Sequence, residues 1–306
     1  MVNDIEPNNG GWLSAIANYD WLKIPGAVRA VSQLVTGTAD VGLAFLDAAK
    51  AKGEQLSQGI RDTTSARTKT LEAYTDAAIK AGINDPRLIE RTLDYTAIKG
   101  IREQSNREKI AQETVLLLEG QAIPEETPAP EDDWMNVFVD YAGKASSERM
   151  QKHWANLLAG QIKKPGSYSL STLQVMSVMD SNLANIIEKF SGSVLDNMFI
   201  AQTPKNSTGY EFFELENLVS LGLVTGNNKK NIAQNPNTLI YEELFNYYDQ
   251  RIVLRSKTPF SFQCRILTFT GREIFSLAGH KPDPDFVPLF IEVIKSNFDH
   301  IEVLFL

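Results

Sequence analysis

Four hydroxyls, Ser167, Ser169, Ser171 and Thr172, crowd the start of a predicted helix just behind Pro165-Gly166. Free N–H groups and the positive end of a helix dipole make such a place an anion site, and a serine there becomes a nucleophile if a base stands by. Two features favour a plainer role. No glycine-rich loop with a GKS or GKT tail accompanies the hydroxyls, and the nearest imidazole, His153 beside Trp154, has no acid at helical spacing. Capping of helix ends is the reading these residues support. Other reactive types are few. Cys264 is the single cysteine, lies between Phe262 and Ile266, and reads as a small apolar filler. With His153, His280 and His300 as the whole imidazole complement, no metal-ligand set, no cofactor and no catalytic residue are expected.

The elements that must carry these groups follow from periodicity. After the cap at Ser146 or Ser147, Met150, Trp154, Leu157, Leu158 and Ile162 form one apolar stripe, which predicts a core helix. Lys163 and Lys164 suit its C-terminal dipole, and Pro165-Gly166 stops it. A helix from about Ser169 turns Leu173, Met176 and Met179 inward, and Asp180 caps a third with Leu183, Ile186, Ile187 and Phe190. These three predict a compact helical bundle over residues 134–191.

Ahead of it, QAIPEETPAPEDD (residues 121–133) combines Pro124, Pro128 and Pro130 with five acids and reads as a stiff, solvated linker. Residues 1–120 read as a helical hairpin region. Gly82 ends one helix, Asp85 caps the next with Pro86 at its first position, and Leu93, Ile98, Ile101, Ile110 and Val115 give that second helix its apolar positions. An amphipathic helix is predicted over 24–52. Val31, Leu34, Val35, Val41, Phe45 and Leu46 supply a face for a core, a partner or a membrane surface. Arg29, Asp40 and Asp47 interrupt it, so it does not span a bilayer, and the acids on its polar side favour the core over a lipid surface.

Residues 192–306 predict a helix with Phe213, Leu215, Leu218 and Leu221, strands at TLIYEEL and QRIVLRS, then a strand into a helix capped by Thr270 with Gly271 at the turn. The order resembles a winged-helix module. FVPLFIEVIKSNFDHIEVLFL reads as a helix and an apolar strand that complete this sheet or a subunit contact. The fold class expected is mainly α, α+β overall: a helical hairpin, a central bundle and a winged-helix-like module with a small sheet.

Charge limits the partners. The 306-residue chain carries 30 basic and 38 acidic residues, and from Gly192 onward ten stand against thirteen, so bulk electrostatics oppose a polyanion. A nucleic-acid surface would have to gather Lys229, Lys230, Arg251, Arg255, Lys257, Arg265 and Arg272 on one edge. The N-terminus MVNDIEPNNGG lacks the pattern of a secretory signal, and the lone cysteine suits a reducing cytoplasm.

Three stretches resemble a bacterial family catalogued as domain of unknown function 2806: EDDW at Glu131–Trp134, SSERMQKHWANLLAGQIKKPGSYSLSTL from Ser146, and LTFTGREIFSLAG from Leu267. That family's pattern runs from an EDDW-type entry through WAKxLAGE and KPGxFSxRTL to LTxxGxEL. IPGAVRAV and IREQSNREKIA are similar to its opening helix and its RQxNIExI segment. The matching positions Trp134, Trp154, Pro165, Gly166, Ser169, Thr172 and Gly271 are expected to be structural. Gln161 replaces an acid and Ser171 an arginine of the pattern. The WANLLA helix also resembles abortive-infection alpha proteins of phage defence. These resemblances imply a non-enzymatic bacterial interaction protein, cytoplasmic or peripheral at a membrane. Its expected partners are a second defence subunit, another copy of itself or a membrane surface, with a winged-helix nucleic-acid binder as the alternative.

Overall fold

The computed structural model describes residues 20–37, 69, 72–73, 75–82, 85–278, 281–298 and 300–306. The chain divides into two units, Met1–Leu173 and Gln174–Leu306, so residues 121–133 fall inside the first unit and mark no boundary between units. Helices and two small antiparallel sheets make the fold α+β.

In the first unit a 3-10 turn at Asp20–Lys23 leads into α1, Pro25–Thr36. Pro25 occupies the first turn, where its missing N–H costs nothing, and Gly37 stops the helix in the left-handed conformation at φ 76. The helix predicted over 24–52 therefore ends at Thr36, and residues 38–52 lie outside the described ones. α2, Pro86–Leu118, begins as expected: Asp85 accepts the Arg87 N–H at 3.0 Å and Pro86 follows. α3 spans Asp132–Ala142 and α4 spans Glu148–Lys163.

The core of this unit lies where α1, α3, α4 and the C-terminal half of α2 converge. Val31, Leu34, Ile110, Val115, Phe138, Leu157 and Leu158 are fully buried there. Trp134 stacks on Phe138 at 5.1 Å, and Phe138 meets the edge of Trp154 at 5.3 Å. The first half of α2 behaves differently. Ile98 and Ile101, two of the apolar positions read for this helix, are 67% and 72% exposed, and no described element covers them. The acidic linker keeps its five carboxylates exposed, while its Thr127–Ala129 backbone lies close against α1. A Cβ on Gly26 would stand 2.6 Å from the Thr127 carbonyl oxygen and 2.8 Å from Ala129 N. Arg29 donates to both oxygens of Asp132 at 3.0 Å, which pins the linker's far end to the same helix.

α5, Leu170–Ser177, carries the chain into the second unit, where α6, Ser181–Ser191, starts on an Asp180 carboxylate accepting from Leu183 N–H at 2.7 Å. Then come β1 (Val194–Leu195), β2 (Phe199–Ala201), α7 (Gly209–Ser220), β3 (Asn228–Asn231), β4 (Tyr241–Tyr247), β5 (Gln250–Ser256), β6 (Ser261–Ile266), α8 (Phe269–Leu277), α9 (Phe286–Asn297) and β7 (Glu302–Phe305). The sheets have the orders β1-β2-β6-β3 and β4-β5-β7, and every pairing is antiparallel. The terminal strand thus completes a sheet, beside β5. Phe199, Phe245, Phe262 and Phe290 run edge to face through the core in steps of 6.4, 5.6 and 5.1 Å, so α9 and both sheets share one aromatic spine.

α8 is capped two residues earlier than the sequence suggested. Thr268, not Thr270, accepts the Gly271 N–H, at 3.0 Å. Gly271 lies inside the helix, and the Leu223 carbonyl oxygen stands 1.9 Å from where its Cβ would be. The glycine is needed for a close approach rather than for a turn.

Candidate functional site

Two of the four hydroxyls behind Pro165-Gly166 bond to the backbone. Ser167 Oγ donates to the Lys164 carbonyl at 2.7 Å, and Ser169 Oγ accepts the Thr172 N–H at 3.3 Å. Thr172 is fully buried, and Ser171 is exposed beside it. Gly166 has φ 83, so the Pro-Gly pair ends α4 by conformation. Gln161, buried in α4, accepts the Tyr168 N–H at 3.0 Å, and the Tyr168 ring sits against Gly160. A carboxylate at that position would accept the same bond, so the departure from the family pattern leaves the clamp intact. Ser147 caps α4 through Met150 N–H, and Trp154, Leu158 and Ile162 are all at most 2% exposed. His153 is half-buried on the other side of α4. The patterned stretch packs into the core through Trp154, Leu158 and Ile162 and caps its own helix ends.

Sequence reasoning assigned no role to the polar residues that lock this scaffold. Asn106, in the IREQSNREKIA segment, donates to the Gly143 carbonyl at 2.8 Å, and its own carbonyl accepts from Gln151 at 3.2 Å. Gln151 also donates to the Ala145 carbonyl at 3.0 Å. Two buried amides thereby hold the α3–α4 turn to α2. The interruption of an apolar stripe by Asn was the one available signal.

The apolar face proposed for α1 is used internally: Val31, Leu34 and Val35 are 0, 0 and 8% exposed against the core. Val41, Phe45 and Leu46 lie outside the described residues. Among the described residues no helix is long and apolar enough to cross a membrane.

The seven basic residues do not form one edge. Arg265, 4% exposed, pairs with Glu216 of α7. Arg255 is flanked by Glu242 and Glu302, and Lys230 meets Glu243 at 2.6 Å. These three are neutralised in place. Arg272 lies over the Phe269 ring at 5.8 Å. Lys229, Arg251 and Lys257 are exposed. Elsewhere in this unit Lys189 joins Glu214 at 2.7 Å and Glu211 at 3.1 Å. Burial opposes its charge, and the two carboxylates outweigh that and hold its ammonium above the usual lysine range.

Lys229 borders a cleft of 540 Å³ between the β3–β6 end of the first sheet and the C-terminal part of α9. Gln202, Gln263 and Asn297 supply amides around it, over an apolar floor of Phe262 and Ile294. The arrangement suits a polar, negatively charged small ligand in kind. Among the described residues no group of three or more His, Cys, Asp or Glu side chains gathers as a metal site. Burial pushes the Cys264 thiol up to about 11, so it stays protonated and unreactive near neutrality.

The geometry is that of an α+β protein whose patterned motifs bind its own elements together. Comparison with known families covers part of the expected pattern, and the IPGAVRAV and LTFTGREIFSLAG stretches lie outside the matched residues. Residues 90–202 match the family described as "Protein of unknown function (DUF2806)". The matched segment runs from α2 through the Asn106–Gln151 clamp and the α4–α5 turn to the end of β2. No curated protein and no solved structure matches the chain.

Proposed function

We propose that the chain is a non-enzymatic interaction protein whose N-terminal half of α2 receives an apolar-faced helix of a protein partner. One observation carries the reading: Tyr95, Ile98 and Ile101 are 67, 67 and 72% exposed at three-residue spacing on one helix. Single exposed apolar residues are ordinary, whereas a row on one helix face is how helix-in-groove and helix-pairing partners are received. Asp94, Lys99 and Arg102 flank the row with both signs of charge, which suits a polar rim. Phage defence in a bacterial cytoplasm is the setting, supported by the likeness of the WANLLA helix to abortive-infection proteins.

The test is phage plating efficiency on cells expressing the chain or its Ile98→Glu/Ile101→Glu variant at equal abundance, with a photo-cross-linker at position 98 in parallel. Restriction by the wild type, lost in the variant together with a discrete cross-link, supports the reading. No restriction by the wild type removes the defence setting. Restriction that survives the variant removes the α2 face.

A nucleic-acid reading rests on Lys229, Arg251 and Lys257, the exposed members of the basic set. A salt-dependent gel shift lost in the triple alanine variant would support it. A membrane-surface role is tested by liposome flotation of the full chain.

A further inference from the structure

We propose that the β4-β5-β7 sheet continues into a second copy of this chain through antiparallel pairing of β7 with β7, centred on Leu304. The proposal is independent of the α2 face. It starts from hydrogen-bond phase. Arg251 and Leu306 exchange both backbone bonds, at 3.3 and 3.0 Å. Directions alternate along an antiparallel ladder, so Leu304 and Glu302 also bond toward β5, and the N–H and C=O of Val303 and Phe305 point from the opposite edge. That edge offers two donors and two acceptors in register.

Edges of this kind are ordinarily blunted, and the others in this unit are. β4 is closed by Asp196, whose N–H meets the Asn246 carbonyl at 2.9 Å and whose carboxylate accepts the Asn246 N–H at 2.7 Å. At its other end the Gln234–Tyr241 bridge and the Glu242-to-Ala233 bond do the same. β3 presents Lys229 and Lys230, and β1 is two residues long. β7 reads EVLF, with no lysine, proline or bulge, and Leu304, Phe305 and Leu306 are 39, 54 and 74% exposed.

A second copy fits this edge because the strand is complementary to itself. A twofold axis through Leu304 sets Val303 opposite Phe305 of the other copy and the reverse, which forms four inter-chain hydrogen bonds from the outward groups. On the face away from the aromatic core, Leu244, Val253 and Leu304 lie side by side across three strands. The axis extends that row into Leu304, Val253 and Leu244 of the second copy. Glu302 falls opposite Leu306, so no like charges meet. The contact is isologous and closes at two chains.

Sedimentation of the full chain at tens of micromolar should give twice the 34.1 kDa chain mass. Phe305→Pro, which removes an outward N–H and leaves the bonds to β5, should give a folded monomer with the far-UV spectrum of the wild type. Leu304→Lys should also be monomeric, and an equimolar mixture with Leu304→Glu should recover the dimer. Leu304→Cys should form an inter-chain disulfide in air, since directly opposed residues of a non-hydrogen-bonded pair lie within bridging distance, and Glu302→Cys should not. A monomeric wild type overturns the proposal. So does a dimer that persists in folded Phe305→Pro, or one that cross-links through position 302 and not 304.

Discussion

Asn106 and Gln151, 45 positions apart, share a hydrogen bond of 3.2 Å inside the first unit, and each also satisfies a backbone carbonyl of the α3–α4 turn. A buried amide that loses its partner leaves groups that water cannot reach. Asn106→Ala strands the Gly143 carbonyl and takes one of the two bonds of the Gln151 amide, and should cost about 2 kcal/mol in chemical denaturation. Asn106→Asp, similar in shape, loses the donor and should be comparably harmful.

Gly271 and Gly26 are close-approach glycines, and alanine at either meets backbone that cannot swing aside. Gly271→Ala places a methyl against the Leu223 carbonyl and should destabilise by about 3 kcal/mol, or prevent folding. Gly26→Ala, against Thr127 to Ala129, should cost about 2 kcal/mol. Thermal melting of both variants is the check.

Arg265→Ala should lower stability by about 2 kcal/mol, because the guanidinium is buried and Glu216 is its partner. Lys229→Ala and Lys257→Ala, both exposed, should stay within about 0.5 kcal/mol of wild type. A binding defect found only in the Arg265 variant would therefore report folding.

Burial raises the Cys264 thiol from an ordinary value near 9 to about 11 in the folded state. Below pH 9 both states keep the proton. Between 9 and 11 the unfolded chain releases it first, so the fold loses stability as pH rises. Cys264→Ala should flatten that part of the alkaline denaturation profile. In the native wild type at pH 8, a thiol reagent should label Cys264 only at the rate of opening.

The sequence made local features legible. Asp85, Ser147 and Asp180 cap where they were expected to, and the Trp154–Leu158–Ile162 stripe faces a core. Each depends on residues within a turn or two of one another. Relations across distance were hidden. Apolar periodicity at Ile98 and Ile101 indicates a face but not whether anything covers it. Glu216 and Arg265 are 49 positions apart, so a cation that looked available was already paired. Thr268 and Thr270 offer the same hydroxyl two residues apart, and backbone geometry chose between them.

At about 1.5 Å per residue, the 33 residues of α2 extend roughly 50 Å, and among the described residues tertiary cover begins only near Gln104, which donates to the Val35 carbonyl at 3.0 Å. A helical stretch of some twenty residues without packing is marginal in water. Amide protons from Arg87 to about Arg102 should therefore exchange with deuterium in seconds to minutes, while those from Ile110 to Leu118 wait for the whole unit to open. One continuous rod keeps time on two clocks, and a partner bound to the fast half would be detected as that half slowing toward the other.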